Sequence, residues 1–538
     1  MIIVGQLVIN SKVKSKYIVI TLMTVFVLLC TMLLNGSGIF TRLQLSTFDH
    51  RVKTFRHDKS IHDDISVVLI DEQSLQLLQS RFGRWPWPRS AYSDVLEFFT
   101  LAKSQTVAFD ILFTEQQDQS GIYLNSDDRI LIDKTLQAGN VVHAMQLTHI
   151  VDQTSGRALP QSFIQQHEFR QVKYDGVDYE NYLIPFDGLY QASHAVGNLE
   201  IEPDSDGIYR RIRLFNKYQD SVFPAISSAL VVPLISGDSP IKYGLNEATF
   251  GDIHIPLDGE GKFLINPIGL VNTVSISSIF TAMENIREGK SSELKVNTQD
   301  FENKIILIGA SAIGLQDAKA TALSPAEPGV FLHAATVSNI LEQDFLKKSS
   351  VYFDYLVMVI IPVMTIIPIM LLGRMIFAVL IPVVLSIAYF IATYVAFSSN
   401  WVLPVVEVLF AAIFSLLLAL YFRLSTEKKR KQKIGLMLSQ YVSPHVLSEV
   451  IDHFDELNTE IGKTENLTIL FSDIRGFTNI SETSDAKQIV DLLNIYFSAM
   501  TDIIFEQKGT LNKFIGDAIL AFWGAPIRSE IHADEALA

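Results

Sequence analysis

Two stretches decide the fold near the C-terminus: LTILFSDIRGFT, residues 467–478, and LNKFIGDAILAFWG, residues 511–524. The apolar run of the first stretch stops at Asp473, a pattern that predicts a buried strand, a loop and the start of a helix. In the second stretch, Gly516 and Asp517 separate two apolar runs. This predicts a hairpin, because glycine supplies the positive φ of the first position of a type II′ turn. If the first strand lies beside the hairpin, Asp473 and Asp517 meet at one end of the sheet.

Two carboxylates at one place repel each other, and a divalent cation relieves the repulsion. Ligand sets made only of oxygen suit Mg²⁺ or Mn²⁺, and a shared pair of carboxylates suits two-metal phosphoryl chemistry. The alternative is that Asp473 caps the strand and Asp517 caps the turn, with no chemical role. The pairing of both residues in one double pattern favours the metal site.

These residues also carry a resemblance. FSDIRGFTNISE, residues 471–482, followed by LNKFIGDAILAFWG resembles the catalytic domain of the class III adenylate/guanylate cyclases, with both blocks in the order and at the separation typical of the family. The resemblance implies an α+β ferredoxin-like (palm) domain that converts a nucleoside triphosphate to its 3′,5′-cyclic monophosphate and pyrophosphate. It also implies two Mg²⁺ or Mn²⁺ ions per active site and a homodimer formed through the cyclase domain.

The resemblance assigns roles to individual residues. It implies that Asp473 and Asp517 are the catalytic, metal-binding aspartates and that the Ile474 carbonyl is the backbone metal ligand. The amides that hold the phosphates belong to the turn that follows: Gly476, Phe477 and Thr478. A helix that begins at this turn would add its positive N-terminal end to the anion site.

Lys513 stands where the family has its purine-reading residue. A lysine side chain only donates hydrogen bonds, so it suits the N1 acceptor of adenine, whereas guanine presents a donor there and guanylate cyclases use glutamate. The mismatch with GTP is worth about 1–3 kcal/mol, which favours ATP. An exposed strand lysine without a ligand is the alternative.

The family domain continues beyond the hairpin, whereas this sequence ends at Ala538. The second purine contact and the Asn and Arg that stabilise the transition state therefore have no counterpart in it. We expect this chain by itself to have little or no cyclase activity.

The composition indicates a membrane protein of several domains. The chain has 538 residues, 49% of them hydrophobic, and a mean hydropathy of +0.27, which is high for a soluble protein. A formal charge of −15 argues against a nucleic-acid partner. Cys30 is the single cysteine, so there is no disulfide framework.

Four apolar runs have the length of a membrane crossing, and they predict transmembrane helices at residues 17–34, 355–372, 375–397 and 402–422. The first run is too long for the apolar region of a secretory signal peptide, and an uncleaved signal anchor is predicted. All basic clusters next to the crossings fall on one side, which the positive-inside rule assigns to the cytoplasm. We therefore expect an integral protein of the bacterial cell (inner) membrane with cytoplasmic termini. Residues 1–16 are the cytoplasmic N-terminus, and residues 35–354 lie outside.

The extracytoplasmic segment 35–354 alternates strands and helices, which predicts an α/β domain. Five blocks in it resemble the second type of CHASE extracellular sensor domain: ISVVLIDEQSL (65–75), GRWPWPRS (83–90), VAFDILF (107–113), KIILIGASAIGLQDAKATAL (304–323) and PGVFLHA (328–334). No ligand follows from this resemblance. Asp71 and Asp110 could line a pocket at strand ends, but helix or loop caps are the favoured interpretation. DSDG at 204–207 lacks the full ligand set of a calcium loop and predicts a turn.

Residues 423–464 predict a cytoplasmic helical linker, and residues 465–538 the N-terminal part of the cyclase domain. QYVSPH, residues 440–445, resembles the segment that leads into such domains, with Ser443 as the cap of a helix that begins at Pro444. We interpret the linker as a rigid connector that carries changes in helix position from the membrane to the catalyst.

The expected function is a membrane-bound receptor adenylate cyclase. Its expected partners are ATP, membrane lipid, an unknown extracytoplasmic ligand and a second copy of the chain. The open alternatives are a sensor without catalysis and a guanylate cyclase. A diguanylate cyclase would need a GGDEF-type hairpin that residues 514–518 do not supply. A transporter is disfavoured by four crossings beside a large external domain.

Overall fold

The computed structural model describes residues 2–116, 125–150, 156–172, 174, 176–235, 240–290, 296–312, 314–315, 318–438, 464–525 and 528–538. The chain forms two compact units: residues 1–368 with 372–415, and residues 369–371 with 416–538. The helix cap predicted at Ser443 lies outside the described residues.

The first unit begins with the elements α1 Ile2–Gly36, α2 Ile39–Arg56, β1 Ile65–Ile70, α3 Glu72–Phe82, α4 Arg89–Leu101, β2 Thr106–Phe109, α5 Ser126–Ala138, β3 Val141–Thr148, α6 Gln161–His167, β4 Asn181–Leu183, α7 Leu189–Ala192 and β5 Ala195–Asn198. Its middle part contains β6 Arg211–Arg213, β7 Phe215–Tyr218, β8 Ser221–Pro224, α8 Ile226–Ile235, β9 Ile241–Tyr243, β10 Glu247–Phe250, β11 Ile253–Pro256, β12 Lys262–Leu264, β13 Thr273–Ser275, α9 Ile276–Arg287 and a 3₁₀ turn Thr298–Phe301. The remaining elements are β14 Ile305–Ala310, β15 Ala318–Lys319, β16 Glu327–Pro328, α10 Gly329–Glu342, β17 Lys347–Lys348, α11 Val351–Leu371, α12 Met375–Ser398, β18 Trp401–Val402 and α13 Val406–Leu438, which continues into the second unit.

A seven-stranded sheet organises the first unit. Its order is β13-β1-β14-β2-β3-β4, with β5 also paired to β3. The pairs are parallel except β3 with β4. Parallel pairing requires crossover connections, and here helices supply most of them. The predicted α/β class is confirmed.

Both faces of this sheet are buried, which explains the continuous apolar runs of its strands. Successive side chains of a strand point to opposite faces. On β1, Ile65 and Val67 join one core, while Val68 and Ile70 join the other. Helices α8 and α10 lie on the first face, and α4 and α9 on the second. The result is a helix–sheet–helix sandwich.

Five helices in the described residues are long and apolar enough to cross a membrane. Four of them, α1, α11, α12 and α13, correspond to the predicted crossings, although their bounds differ. The helix of the first crossing begins at Ile2, within the segment predicted as the cytoplasmic N-terminus. Helix α13 runs without a break from Val406 into the predicted linker and ends at Leu438. Large apolar side chains on these helices are exposed, such as Leu33 at 74% and Ile376 at 71%. An apolar surface of this extent is typical of a lipid-facing segment.

The second unit contains, after α13, β19 Thr468–Ser472, α14 Phe477–Thr483, α15 Ala486–Glu506, β20 Thr510–Ile515, β21 Ala518–Trp523 and α16 His532–Leu537. The three strands form an antiparallel sheet in the order β19-β21-β20. The fifth apolar helix is α15, which packs against this sheet. The apolar spacing of this helix predicts a core stripe of Ile489, Leu493, Tyr496, Met500 and Ile503. Its buried residue is Ile504, at 2% exposure, whereas Ile503 is 53% exposed.

Candidate active site

The register of the three-stranded sheet brings Asp473 and Asp517 to the same end. Ser472, the last residue of β19, pairs with Ile519, and Ile515 pairs with Ala518 across the two-residue turn. Asp473 follows β19 directly, and Asp517 is the second residue of that turn. Gly516 has φ of +60°, as the predicted hairpin requires, and glycine adopts this conformation without strain because it has no Cβ.

The two carboxyl groups interact. A hydrogen bond shared with Asp517 and the negative charge of that residue raise the pKa of Asp473, whose side chain lies in solvent. A hydrogen bond between two carboxyl groups needs a proton between them, because two ionised carboxylates would repel each other. The pair therefore attracts positive charge, either a proton or a metal cation. Its donor set is two carboxylates, which suits Mg²⁺ or Mn²⁺. In the described part of the chain no group of three or more His, Cys, Asp and Glu side chains has the arrangement of a metal site.

The loop after β19 turns tightly around Ile474. The Ile474 amide donates to Asp473 Oδ1 at 3.1 Å, and the Ile474 carbonyl accepts from the Phe477 amide at 3.2 Å. Because a carbonyl oxygen has two lone pairs, this bond leaves Ile474 able to act as a ligand. Gly476 has φ of +79° and precedes α14, whose first two residues are Phe477 and Thr478. The predicted phosphate-binding turn is therefore a real turn with a helix start, but the helix has only seven residues.

Lys513 lies on β20 opposite Leu520, beside an irregularity in the pairing between Leu511 and Lys513. Its side chain is exposed. The next residue, Phe514, stacks on Phe497 of α15 with ring centroids 4.3 Å apart. Since side chains alternate along a strand, Lys513 points away from α15.

The three-stranded sheet is held from the α15 side both at the end that carries the two aspartates and at the opposite end. Ser472 Oγ and Tyr496 Oη of α15 lie 3.0 Å apart. The Trp523 indole donates to the Gln507 carbonyl at 2.8 Å, and a Cβ on Gly509 would lie 2.7 Å from the Trp523 ring. Close packing of this kind fixes β21 against α15, and with it the hairpin that carries Asp517.

Family comparisons agree with this architecture. Residues 23–373 match the model of the CHASE2 domain. The chain belongs to the CHASE2 family. Residues 459–538 match the adenylate and guanylate cyclase catalytic domain. The CHASE2 protein thus joins a sensor domain to a class III nucleotide cyclase catalytic domain, as both resemblances implied.

Curated relatives match a short part of this CHASE2 protein. "Adenylate cyclase 1" of Rhizobium meliloti is 35% identical over 72 residues, 13% of this chain and 11% of the relative. "Adenylate cyclase" of Anabaena cylindrica is 44% identical over 68 residues, 12% of this chain and 14% of the relative. The chain therefore aligns with about an eighth of the length of these relatives.

Two solved structures are similar to part of the chain. The guanylyl cyclase Cya2 is 46% identical, with 13% of this chain and 36% of that chain covered and a TM-score of 0.13. The adenylyl cyclase CyaB from P. aeruginosa is 42% identical, with 13% and 37% covered and a TM-score of 0.13.

In the CHASE2 domain, Asp71 and the DSDG segment have structural roles. Asp71 caps α3, accepting from the Ser74 amide at 2.8 Å, as favoured from the sequence. DSDG forms the predicted turn, with Gly207 at φ of +84°. Sequence reasoning missed that the Asp204 and Asp206 carboxylates of this turn bind the buried Arg210.

Proposed function

We propose that the chain is a membrane-bound receptor whose cyclase domain converts ATP to 3′,5′-cyclic AMP and pyrophosphate under the control of the CHASE2 domain. The observation that carries this proposal is the meeting of Asp473 and Asp517 at one end of the β19-β21-β20 sheet. It occurs in a segment that belongs to a nucleotide cyclase domain, and two relatives of that segment are named adenylate cyclases.

Asp473, Asp517 and the Ile474 carbonyl would hold two Mg²⁺ or Mn²⁺ ions. When bound, such ions help the ribose 3′-hydroxyl lose its proton and neutralise charge on the phosphates. The role of the two aspartates is to stay ionised beside each other and so to fix the positions of the two metal ions. Gly476, Phe477 and Thr478 would orient the phosphates through backbone amides, which carry no charge and need no side chain at Gly476.

Lys513 would select the purine. Its ammonium group donates to N1 of adenine, whereas the N1–H of guanine would face it donor to donor. Leaving a polar group unpaired in this way costs about 1–3 kcal/mol, a discrimination of roughly ten- to a hundred-fold. The exposed position of Lys513 on the face away from α15 leaves its ammonium group free for a base.

The cyclase domain would act as a homodimer. Ile469 and Phe471, on the β19 face opposite α15, are 65% and 59% exposed. Large apolar side chains on one sheet face mark a contact surface. The sensor would lie outside the bacterial inner membrane, with α1, α11, α12 and α13 as four crossings and both termini in the cytoplasm, because the basic clusters share one side.

The test has two readouts on the same purified chain. Mn²⁺ binding is followed by electron paramagnetic resonance, and cyclic AMP and cyclic GMP are measured with ATP or GTP as substrate. We expect Asp473→Asn and Asp517→Asn each to weaken Mn²⁺ binding at least roughly ten-fold, since each removes one of two charged ligands. Asp491→Asn is the matched control, because Asp491 is exposed on α15.

The two readouts separate the proposals. Unchanged Mn²⁺ binding in both variants would refute the metal site and the enzyme with it. Mn²⁺ binding with little or no cyclic nucleotide is the result expected of this chain by itself, and it leaves a sensor that binds without catalysis as the second candidate. Preferential formation of cyclic GMP would refute the assignment of Lys513.

A further inference from the structure

A cavity of about 450 Å³ lies at the ends of three apolar helices. Its wall includes Asn35 near the end of α1, Val351 at the start of α11 and Glu407 in the first turn of α13. All three helices are long and apolar enough to cross a membrane, so the cavity lies at the level where crossings meet the sensor domain. Its volume is in the range of small-molecule sites, about 300–1,000 Å³.

Helix α2 forms one wall of this cavity and contributes a buried cation. Arg51 is fully buried. Its Nε donates to the Thr47 carbonyl at 3.2 Å and its Nη1 to the Leu403 carbonyl at 3.4 Å. Its Nη2 has no hydrogen-bond partner in the described residues, and the guanidinium forms no salt bridge among them. A buried charge without a counterion is costly unless a ligand supplies one.

The same cavity has a buried anion. Glu407 is 9% exposed and its Oε2 has no hydrogen-bond donor in the described part of the chain. Arg51 and Glu407 line one cavity but form no ion pair with each other. One unsatisfied donor and one unsatisfied acceptor across a cavity complement a molecule with both charges.

The other charges in the wall are engaged or add to this pattern. Arg210 and Arg211 form ion pairs with aspartates, and Asp354 accepts a hydrogen bond from the Ser349 hydroxyl. Lys348 lines the cavity without a salt bridge to any described residue and adds positive potential. The apolar part of the wall comes from Leu45, Phe48, Leu264, Leu403 and Pro404.

We propose that this cavity binds the zwitterionic headgroup of a membrane lipid, with its phosphate at Arg51 and its primary amine at Glu407. A primary amine carries N–H donors for the unsatisfied Glu407 oxygen, which a quaternary ammonium lacks. The apolar wall and the position at the helix ends suit the glycerol and acyl part. The inference concerns the CHASE2 unit and does not depend on the cyclase activity proposed above.

The experiment measures lipid binding to the full chain in detergent micelles by native mass spectrometry. The probes are short-chain phosphatidylethanolamine, phosphatidylcholine, phosphatidylglycerol and free O-phosphoethanolamine. We expect phosphatidylethanolamine to bind at least roughly ten-fold more tightly than the other three probes. Phosphatidylcholine lacks N–H donors on its ammonium group, phosphatidylglycerol lacks the amine, and free O-phosphoethanolamine lacks the acyl tail. Arg51→Gln and Glu407→Gln should each remove this preference.

The matched controls are Arg42→Gln, exposed on α2, and Glu427→Gln, exposed on α13; both should bind like the parent chain. Lys348→Gln covers the case that Arg51→Gln does not fold. It should weaken phosphatidylethanolamine binding two- to ten-fold, by roughly the strength of one charge interaction, while the neighbouring Lys347→Gln should not. Equal binding of phosphatidylcholine or phosphatidylglycerol would overturn the proposal. So would equal binding of free O-phosphoethanolamine, or cavity variants that behave like their controls.

Discussion

Asp49 on α2 ties this helix to the sensor core through Arg210, and Asp49→Asn should loosen that attachment. Arg210 is buried, with 1% of its side chain exposed. Its Nε donates to Asp49 Oδ1 at 2.7 Å and its Nη2 to Asp49 Oδ2 at 2.6 Å. Asp204 and Asp206 occupy the rest of the guanidinium.

The expected magnitude follows from what the substitution leaves in place. Asparagine keeps one acceptor and loses the negative charge and the second hydrogen bond, while Arg210 keeps two carboxylates and so stays compensated. A hydrogen bond to a charged group contributes about 1.5–3 kcal/mol, and we expect a loss of that size. Arg210→Met should cost more, about 3–5 kcal/mol, because it leaves Asp49 and Asp206 without a cation, while Asp204 keeps Arg211.

Native-state hydrogen exchange of peptides from residues 39–56 reports this loss directly. A loss of 1.5–3 kcal/mol corresponds to exchange about ten- to a hundred-fold faster. Asp63→Asn is the control, since Asp63 is exposed. Asp49→Asn and Arg210→Met combined in one chain should cost less than the sum of their separate effects, because both remove the Asp49–Arg210 interaction. Exchange in Asp49→Asn within two-fold of Asp63→Asn would refute the role of the bidentate pair.

Three further predictions concern acid, packing and substrate. Burial lowers the pKa of His143 to about 3 and of His333 to about 4. Below pH 6.5 the unfolded chain therefore binds more protons than the folded chain, and each histidine should lower the free energy of unfolding by about 1.4 kcal/mol for each pH unit down to about pH 4. The thermal midpoint measured against pH reports this loss. His333→Gln should reduce this slope, and an unchanged slope would contradict the assignment. Gly197→Ala should destabilise the sensor by about 1–3 kcal/mol or more in the same assay, because its Cβ would lie 2.4 Å from the Ile226 Cα; Gly36→Ala, with nothing within 4 Å, is the control. Lys513→Glu should shift nucleotide preference from ATP towards GTP by roughly ten- to a hundred-fold, and an unaltered ATP-to-GTP ratio of bound or converted nucleotide would count against the purine contact.

The sequence predicts local pairs better than distant ones. The hairpin at Gly516 follows from two adjacent residues, and the cap of α3 by Asp71 from one. The meeting of Asp473 with Asp517 needed the further assumption that β19 pairs with β21, which the register supports. Ile503 was misplaced because neighbouring positions of a helix lie 100° apart, so a one-residue error in the stripe exchanges a buried residue for an exposed one.

The region that sequence reasoning did not resolve is α2. Its apolar, basic and polar residues follow no clear stripe, because its surroundings differ along its length and its partners are distant in sequence. Arg56 donates to Asn266 Oδ1 at 2.7 Å and to Asn400 Oδ1 at 2.6 Å, 210 and 344 residues away. Contacts over such separations leave no local signal, and only the packed structure shows them.

These distant contacts make α2 the joint between the sensor and the apolar helices. Gln44 Oε1 accepts from the Val406 amide at the start of α13 at 3.2 Å, and Arg56 donates to the Phe397 carbonyl near the end of α12 at 3.2 Å. Strand β17 of the sensor pairs with β18, which lies between those two helices. Helix ends held by charged and backbone hydrogen bonds move with the element that holds them, since breaking each bond without replacement costs about 1–3 kcal/mol. A ligand that shifts α2 by binding at Arg51 would therefore act on the end of α12 and the start of α13 without having to distort the central sheet.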